Sequence, residues 1–179
     1  MKKAVFLILL LPIILLSGCL EEKSSLKFSI SSVFQEDSPI PKKYTCDGIN
    51  INPPLYISNI PENAKSLAII VDDPDAPGGT FTHWIAWNIP PVKEIPEGIP
   101  KKGKVESPVK MIQGINDFGR IGYDGPCPPP GHGVHHYHFK VYALDITLNL
   151  TPGSTRRDLE EAMKGHIIAE AELVGTYER

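Results

Sequence analysis

The segment GPCPPPGHG (Gly125–Gly133) running into VHHYHFKVYAL (Val134–Leu144) sets the architecture of the chain. Its first part holds four prolines and three glycines. Proline lacks the backbone N–H and fixes φ, so the segment is a stiff loop and not a helix or a sheet strand. The second part has no proline or glycine and is rich in aromatic and branched residues, which makes it the longest strand candidate. With a period of two, His135, Tyr137 and Phe139 face one side, while His136, His138 and Lys140 face the other.

Working outward, the same alternation of strands and turn-rich connections recurs. Phe81–Ile89 reads as a strand, preceded by Leu67–Val71, a short apolar run that reads as a buried one. The sequence between them, Asp72-Asp73-Pro74-Asp75-Ala76-Pro77-Gly78-Gly79, is expected to be a loop. Towards the N-terminus, Phe28, Ile30, Ser32 and Phe34 alternate with Ser29, Ser31 and Val33, another strand pattern. Residues 37–54 are turn-rich. Towards the C-terminus one helix is credible: Thr155 caps it, Asp158 follows three residues later, and Leu159, Ala162 and Met163 share a face. Gly165 ends it. Ile167–Thr176 alternates again as a closing strand. The expected fold is mainly β, an antiparallel β-sandwich with one or two peripheral helices.

Composition agrees with that class and excludes others. The chain has 179 residues, 41% hydrophobic, with 18 prolines. That is enough chain for one domain with a proper core and too apolar for disorder. The 18 basic and 21 acidic residues give a net charge of -3, and no basic cluster exceeds a pair, so nucleic acid is not an expected partner.

The N-terminus reads as an address. Lys2 and Lys3 precede an apolar stretch from Ala4 to Leu16, broken only by Pro12, which is too short for a spanning helix and suits a secretory signal. It ends in Leu16-Ser17-Gly18-Cys19, which resembles a lipoprotein box with Cys19 as the lipidated mature N-terminus. The expected division is a signal peptide at 1–18, a lipid-anchored tether at 19–26 and a folded domain at 27–179. The protein would then be held to the cell membrane, on its extracytoplasmic face, by lipid such as palmitate on Cys19. Cys46 and Cys127 remain, both flanked by turn residues. They are either a disulfide pair or two separate thiols, and spacing alone does not decide between them.

Candidate chemistry gathers in two loops. Five of the six histidines stand at positions 83, 132, 135, 136 and 138. His83, Ile85 and Trp87 share a strand face, so a pocket gathering His83, His135 and the Tyr137 hydroxyl, with an Asp from the first loop, is expected. Two imidazoles, a phenol and backbone N–H groups suit a small oxyanion. Asp73 or Asp75 would orient a histidine or face an ammonium group; taken alone, an Asx-Pro sequence more simply caps a turn. His136 and His138 have a spacing that can supply two zinc ligands, but a third is not evident, and no metal is expected. Ser107 and Ser154 lack a nucleophile-elbow context and Cys127 sits between prolines, which speaks against covalent hydrolysis. A glycine-rich phosphate loop and a dinucleotide fingerprint are missing, so no cofactor is expected. Asn149-Leu150-Thr151 matches a glycosylation sequon, a triplet that arises often by chance.

The chain resembles the phosphatidylethanolamine-binding protein family, in the bacterial and archaeal branch often called Raf-kinase-inhibitor-like. The residues that carry the resemblance are Asp73-Pro74-Asp75-Ala76-Pro77, His83-Trp84 with Asn88, and Asn116-Asp117-Phe118-Gly119. They continue with Gly122-Tyr123-Asp124-Gly125-Pro126, Pro128-Pro129-Pro130-Gly131 and His135-x-Tyr137, from about Ser29 to Tyr177. The resemblance implies a β-sandwich with a small surface pocket for phosphate-type anions and phospholipid head groups. Carried over by position, its lining is Asp73, Asp75, His83, Gly125, His135 and Tyr137. The family commonly has Arg where His136 stands, so any contact of that Arg is not carried over. The C-terminal helix of animal members looks absent, and kinase-inhibitor roles are not transferred.

The expectation is an exported, lipid-anchored binding protein and not an enzyme. A protein-interaction module inhibiting a protease or kinase through the proline-rich rim is the alternative, and a His/Asp hydrolase stands behind it.

Overall fold

The computed structural model describes residues 27–179. Two sheets face each other. The smaller is built from β1 (Ser29–Ser31), β3 (Leu55–Ser58) and β6 (Glu94–Ile95), in the order β1-β3-β6. The larger has seven strands, β2 (Ser38–Pro39), β10 (Ile167–Tyr177), β9 (His135–Leu144), β4 (Ser66–Asp73), β5 (Phe81–Ile89), β8 (Met111–Gln113) and β7 (Lys104–Val105), in that spatial order. All pairings are antiparallel except β2 with β10, which is parallel. The mainly β sandwich expected from the sequence is the observed fold.

The large sheet is buried on both faces at its centre. Leu67, Ile69 and Val71 of β4 point into the core between the sheets, with Trp84 and Ala86 of β5, Phe139 and Val141 of β9, and Leu55 and Ile57 of the small sheet. The opposite side chains, Ala68, Ile70, Ile85 and Trp87, form a second core under Leu159 and Met163 of α1 (Arg156–Met163). Burial on both sides explains why Leu67–Val71 is a continuous apolar run without alternation. Each such fully buried Ile, Leu or Trp contributes roughly 1.5–3 kcal/mol over an exposed one. The helix is the peripheral one expected: Thr155 caps it, with a reciprocal bond from its backbone to the Asp158 carboxylate. A single 3-10 turn, Lys42–Tyr44, is the only other helical element among the described residues.

Three features differ from the sequence reading. The loop expected from Asp72 begins two residues later, because β4 continues through Asp72 and Asp73. Charged residues fit a buried strand end here because each has partners. Asp72, on the helix side, meets Lys140 Nζ at 3.0 Å and Arg156 at 2.8 Å, and Asp73, on the other side, meets His135. The short strands β2, β3, β6, β7 and β8 went unseen, being two to four residues long amid prolines. The two cysteines form a disulfide, with their Cα atoms 5.4 Å apart, within the ordinary range for the bond. It joins the Cys46 loop to the proline-rich loop before β9.

The expected signal peptide and the Cys19 anchor lie outside the described residues. Among the described residues no helix is long and apolar enough to cross a membrane.

Candidate functional site

The C-terminal end of β4 and the N-terminal ends of β5 and β9 meet at one edge of the sandwich, and a cavity of about 180 Å³ opens there. Asp73, His83 and His135 supply its polar wall; Pro77, Phe81, Phe118 and Pro128 are among its apolar residues. Both histidines and Asp73 are buried.

His83 reaches this cavity by a route the sequence does not reveal. Strict alternation would align it with Ile85 and Trp87, which belong to the core under α1, on the sheet face opposite Tyr137. The pairing of β4 with β5 runs Val71↔Trp84 and then Asp72↔Thr82, so His83 is an extra, bulged residue. A β-bulge breaks the alternation and re-aims a side chain. The His83 ring therefore stands edge-on to Tyr137, centroids 5.2 Å apart, across the cavity side. The bulge, and not the shared strand face expected, brings His83 beside Tyr137.

The hydrogen bonds fix the proton positions. His83 Nδ1 lies 2.7 Å from the Asp124 carbonyl oxygen, which can only accept, so Nδ1 carries the proton. Burial among Phe81, Phe118 and Tyr137 pushes the imidazole below its ordinary pKa, so His83 is neutral at pH 7 and its Nε2 is a lone-pair acceptor. Asp124 is itself locked: Asn50 and Lys101 donate to one carboxylate oxygen, Asn116 and Arg120 to the other. Burial alone would raise its pKa, but Asn116, Lys101 and Arg120 outweigh that and hold the carboxyl below its usual value.

Asp73 divides its oxygens between two tasks. Oδ1 accepts from the Asp75 N–H, capping the turn, and Oδ2 accepts from His135 Nδ1 at 2.7 Å. The turn-capping and histidine-orienting readings are both true of this residue. His135 Nε2 in turn lies 2.7 Å from Nδ1 of His132, an exposed residue. Tyr137 lies beneath this group. Its phenol is buried with the Asp73 carboxylate and the Cys127 backbone as its polar neighbours, and neither meets it at full hydrogen-bond geometry. Burial, then the nearby Asp73 carboxylate, raises its pKa so far that it stays an O–H donor.

Three expected lining residues do not line the cavity: Tyr137 lies beneath it, and Asp75 and Gly125 stand elsewhere. Asp75 turns to His136, accepting from its backbone N–H at 2.9 Å and its Nδ1 at 2.7 Å, and does not line the cavity. Its carboxyl is held below the usual range, chiefly by the His136 bond. His136 is thus turned away from the cavity, as alternation requires. Gly125 donates its N–H to Asn50 Oδ1 and packs so tightly that a Cβ would sit 2.0 Å from the Tyr44 carbonyl oxygen. It builds the wall and offers no free donor.

Sequence reasoning missed the apolar lining, Asp124 and His132. Phe118 had a signal, an aromatic residue inside an Asn-Asp-Phe-Gly turn, and that turn is clamped to β5 by Thr82 N–H bonding Asp117 at 2.6 Å. His132 stood in the histidine cluster without an assigned role. Among the described residues no group of three or more His, Cys, Asp or Glu could hold a metal; His136 and His138 each pair with a carboxylate instead.

Comparison with known proteins fits this architecture. The family model for phosphatidylethanolamine-binding protein matches residues 30–178. A UPF0098 protein of Pyrococcus abyssi is 70% identical over 171 residues, covering 96% of both chains. The crystal structure of a PEBP homolog from Chlamydia trachomatis is 45% identical with a TM-score of 0.77, covering 86% of this chain and 98% of the other. That of Escherichia coli YbcL, described as a member of the mammalian PEBP family, is 34% identical with a TM-score of 0.78, covering 86% and 99%. With a matching family model, close relatives and a shared fold, this chain belongs to the phosphatidylethanolamine-binding protein family.

Proposed function

We propose that the cavity at the β4–β5–β9 edge binds a small phosphate-type oxyanion or phosphorylated head group, in an exported protein anchored by lipid on Cys19. The observation that carries the reading is the Tyr137 hydroxyl, a buried donor that no neighbour meets at full hydrogen-bond geometry, beside His83 and the Asp73–His135 pair. A buried donor without a partner costs about 1–3 kcal/mol, which an accepting ligand oxygen would recover. The apolar rim of Phe81, Phe118 and Pro128 suits the aliphatic part of a head group, and the small volume suits a group the size of phosphate.

Binding without turnover is the favoured reading. Among the described residues no serine or threonine lines the cavity, and Cys127 is held in its disulfide. The His135 Nε2 lone pair, which a general base would need, faces His132.

The test is an NMR titration of the full chain in non-ionic detergent with phosphate, phosphoethanolamine and acetate. Saturable shifts at His83, His135 and Tyr137 with the phosphate compounds, weaker with acetate, are expected. Loss of these shifts in His83→Ala/His135→Ala is the required control. No shift at millimolar phosphate would sink the anion reading and leave the protein-interaction module as the leading alternative.

A further inference from the structure

We propose that the cavity takes up its oxyanion together with a proton from solvent, accepted by His83 or by the His135–His132 pair, so that anion affinity rises as pH falls. The proposal rests on the oxyanion reading and says how such a site would be neutralised.

The argument begins with charge. Among the described residues that line the cavity there is no lysine or arginine, and the one formal charge is the Asp73 carboxylate, which repels an anion. The cations nearby are committed elsewhere. Arg120 and Lys101 pair with Asp124, Arg120 also lying 5.1 Å over the Phe118 ring, and Arg179, 3.5 Å from the Cys127 sulfur, is paired with Asp47. Anion sites commonly use fixed cations, helix N-termini or convergent backbone N–H groups. Gly125, expected to supply an N–H, spends it on Asn50.

Proton positions carry the argument further. With Nδ1–H of His83 committed to the Asp124 carbonyl, neutral His83 can offer the cavity only a lone pair. A lone pair facing an oxyanion is repulsive; the same nitrogen with a proton is a charge-assisted donor. His135 is similar. Its Nδ1–H goes to Asp73, and a single proton is shared between its Nε2 and Nδ1 of His132. Neutral, the wall presents the His83 lone pair and the Asp73 carboxylate, while both His135 nitrogens are engaged by Asp73 and His132 and the Tyr137 hydroxyl is buried beneath the rings. One added proton reverses this.

The geometry also provides an entry path. His132 is exposed, His135 is buried, and Asp73 is buried behind it, so the three form a hydrogen-bonded line from solvent to the cavity wall. The groups facing these imidazoles are few. Asp73 comes from β4, Asp75 from the turn that follows, Asp124 from the loop before Gly125 and Tyr137 from β9, while Tyr177 of β10 lies opposite His135 in register. Three carboxylates around the imidazoles stabilise an added proton, and burial opposes it. The anion supplies the missing charge.

The test uses oxyanions whose own charge does not change with pH. Sulfate stands for an inorganic ion and dimethyl phosphate for a lipid phosphodiester, each titrated into the full chain in non-ionic detergent from about pH 5.5 to about pH 8. Uptake of one proton predicts an affinity falling about tenfold per pH unit above the histidine range. It also predicts a binding enthalpy that differs between buffers of different ionisation enthalpy. Preference for dimethyl phosphate over sulfate points to a head group as the natural source, and the reverse points to a free ion. A pH slope flattened in His132→Gln assigns the proton to the His135–His132 pair and a slope kept there assigns it to His83, whereas His166→Gln, a remote histidine paired with Asp145, keeps the full slope. Binding with the same affinity across the range overturns proton uptake and leaves the oxyanion reading intact. No binding at any pH overturns both.

Discussion

Replacing both Cys46 and Cys127 by Ser gives a sharp test of how the cavity wall is held. The bond closes a loop across a sequence separation of 81 residues. Chain-entropy bookkeeping for a loop of that size gives about 4.5 kcal/mol, exerted on the unfolded chain. In the folded state the same two segments keep other ties. Cys46 N–H bonds the Pro126 carbonyl at 3.0 Å, Gly125 N–H bonds Asn50, and the Tyr123 hydroxyl bonds the Tyr44 carbonyl at 2.8 Å. The native wall is therefore expected to persist, with the loss appearing almost wholly as stability. Denaturant titration of the wild type and the double variant checks the free energy, and the melting temperature should fall by roughly 9–18 °C for a chain of this size. The NMR spectrum under native conditions should change only near positions 46 and 127. A loss below about 1 kcal/mol would refute the entropic reasoning. Widespread spectral change at His83 and Tyr137 would instead show that the bond shapes the folded cavity.

Five further outcomes follow from individual contacts. Gly125→Ala forces a Cβ to 2.0 Å from the Tyr44 carbonyl oxygen and should cost about 3 kcal/mol or more in a denaturant melt. Gly131→Ala, with φ of 75° and open space around it, should cost only about 1–2 kcal/mol. Asp72→Ala leaves Lys140 and Arg156 facing each other under α1; because both cations reach solvent, a loss of about 3 kcal/mol is expected, at the low end for a broken buried pair. The Asp124 carboxyl is depressed in the folded state, so its stabilising contribution is complete above the unfolded value near 3.9 and is lost as pH falls through the lower folded value. Asp124→Asn should thus flatten the acid limb of the stability curve, measured by denaturant melts between about pH 2 and about pH 6. His83, depressed by burial, costs stability in the unliganded protein as pH falls below its unfolded value of about 6.5, and sulfate should restore it.

Much of the fold could be read from local pattern. Phe81–Ile89 matches β5 residue for residue, and the Thr155–Asp158 capping box marks the start of α1. Both signals lie within a few residues of chain. The unread parts depend on distant partners. Asp72 and Asp73 look like loop residues until Arg156, Lys140 and His135 arrive from elsewhere to pair with them. The two-residue strands β6 and β7 have too little sequence to show a period, and they exist because a neighbour supplies the ladder. At the site, Asp73, His83 and His135 line one cavity and Tyr137 packs against the two imidazoles. Asp75 and Gly125 do not line the cavity because His136 and Asn50 engage them first.

The bulge at His83 has a consequence for how such a site can diverge. Inward of it, Trp84–Ala86 pairs without a break with Ile69–Val71 of β4 and carries core side chains on both faces. Outward of it, Phe81 and Thr82 follow a shifted register and Phe81 faces the cavity. One strand thus has two zones with separate duties. Substitutions at Phe81, Phe118 or His132 can reshape what the cavity accepts while the tryptophan-packed interior stays as it is. The bulge acts as a mechanical break between a conservative scaffold and a recognition surface free to drift, so a change of ligand need not be accompanied by a search for a new core.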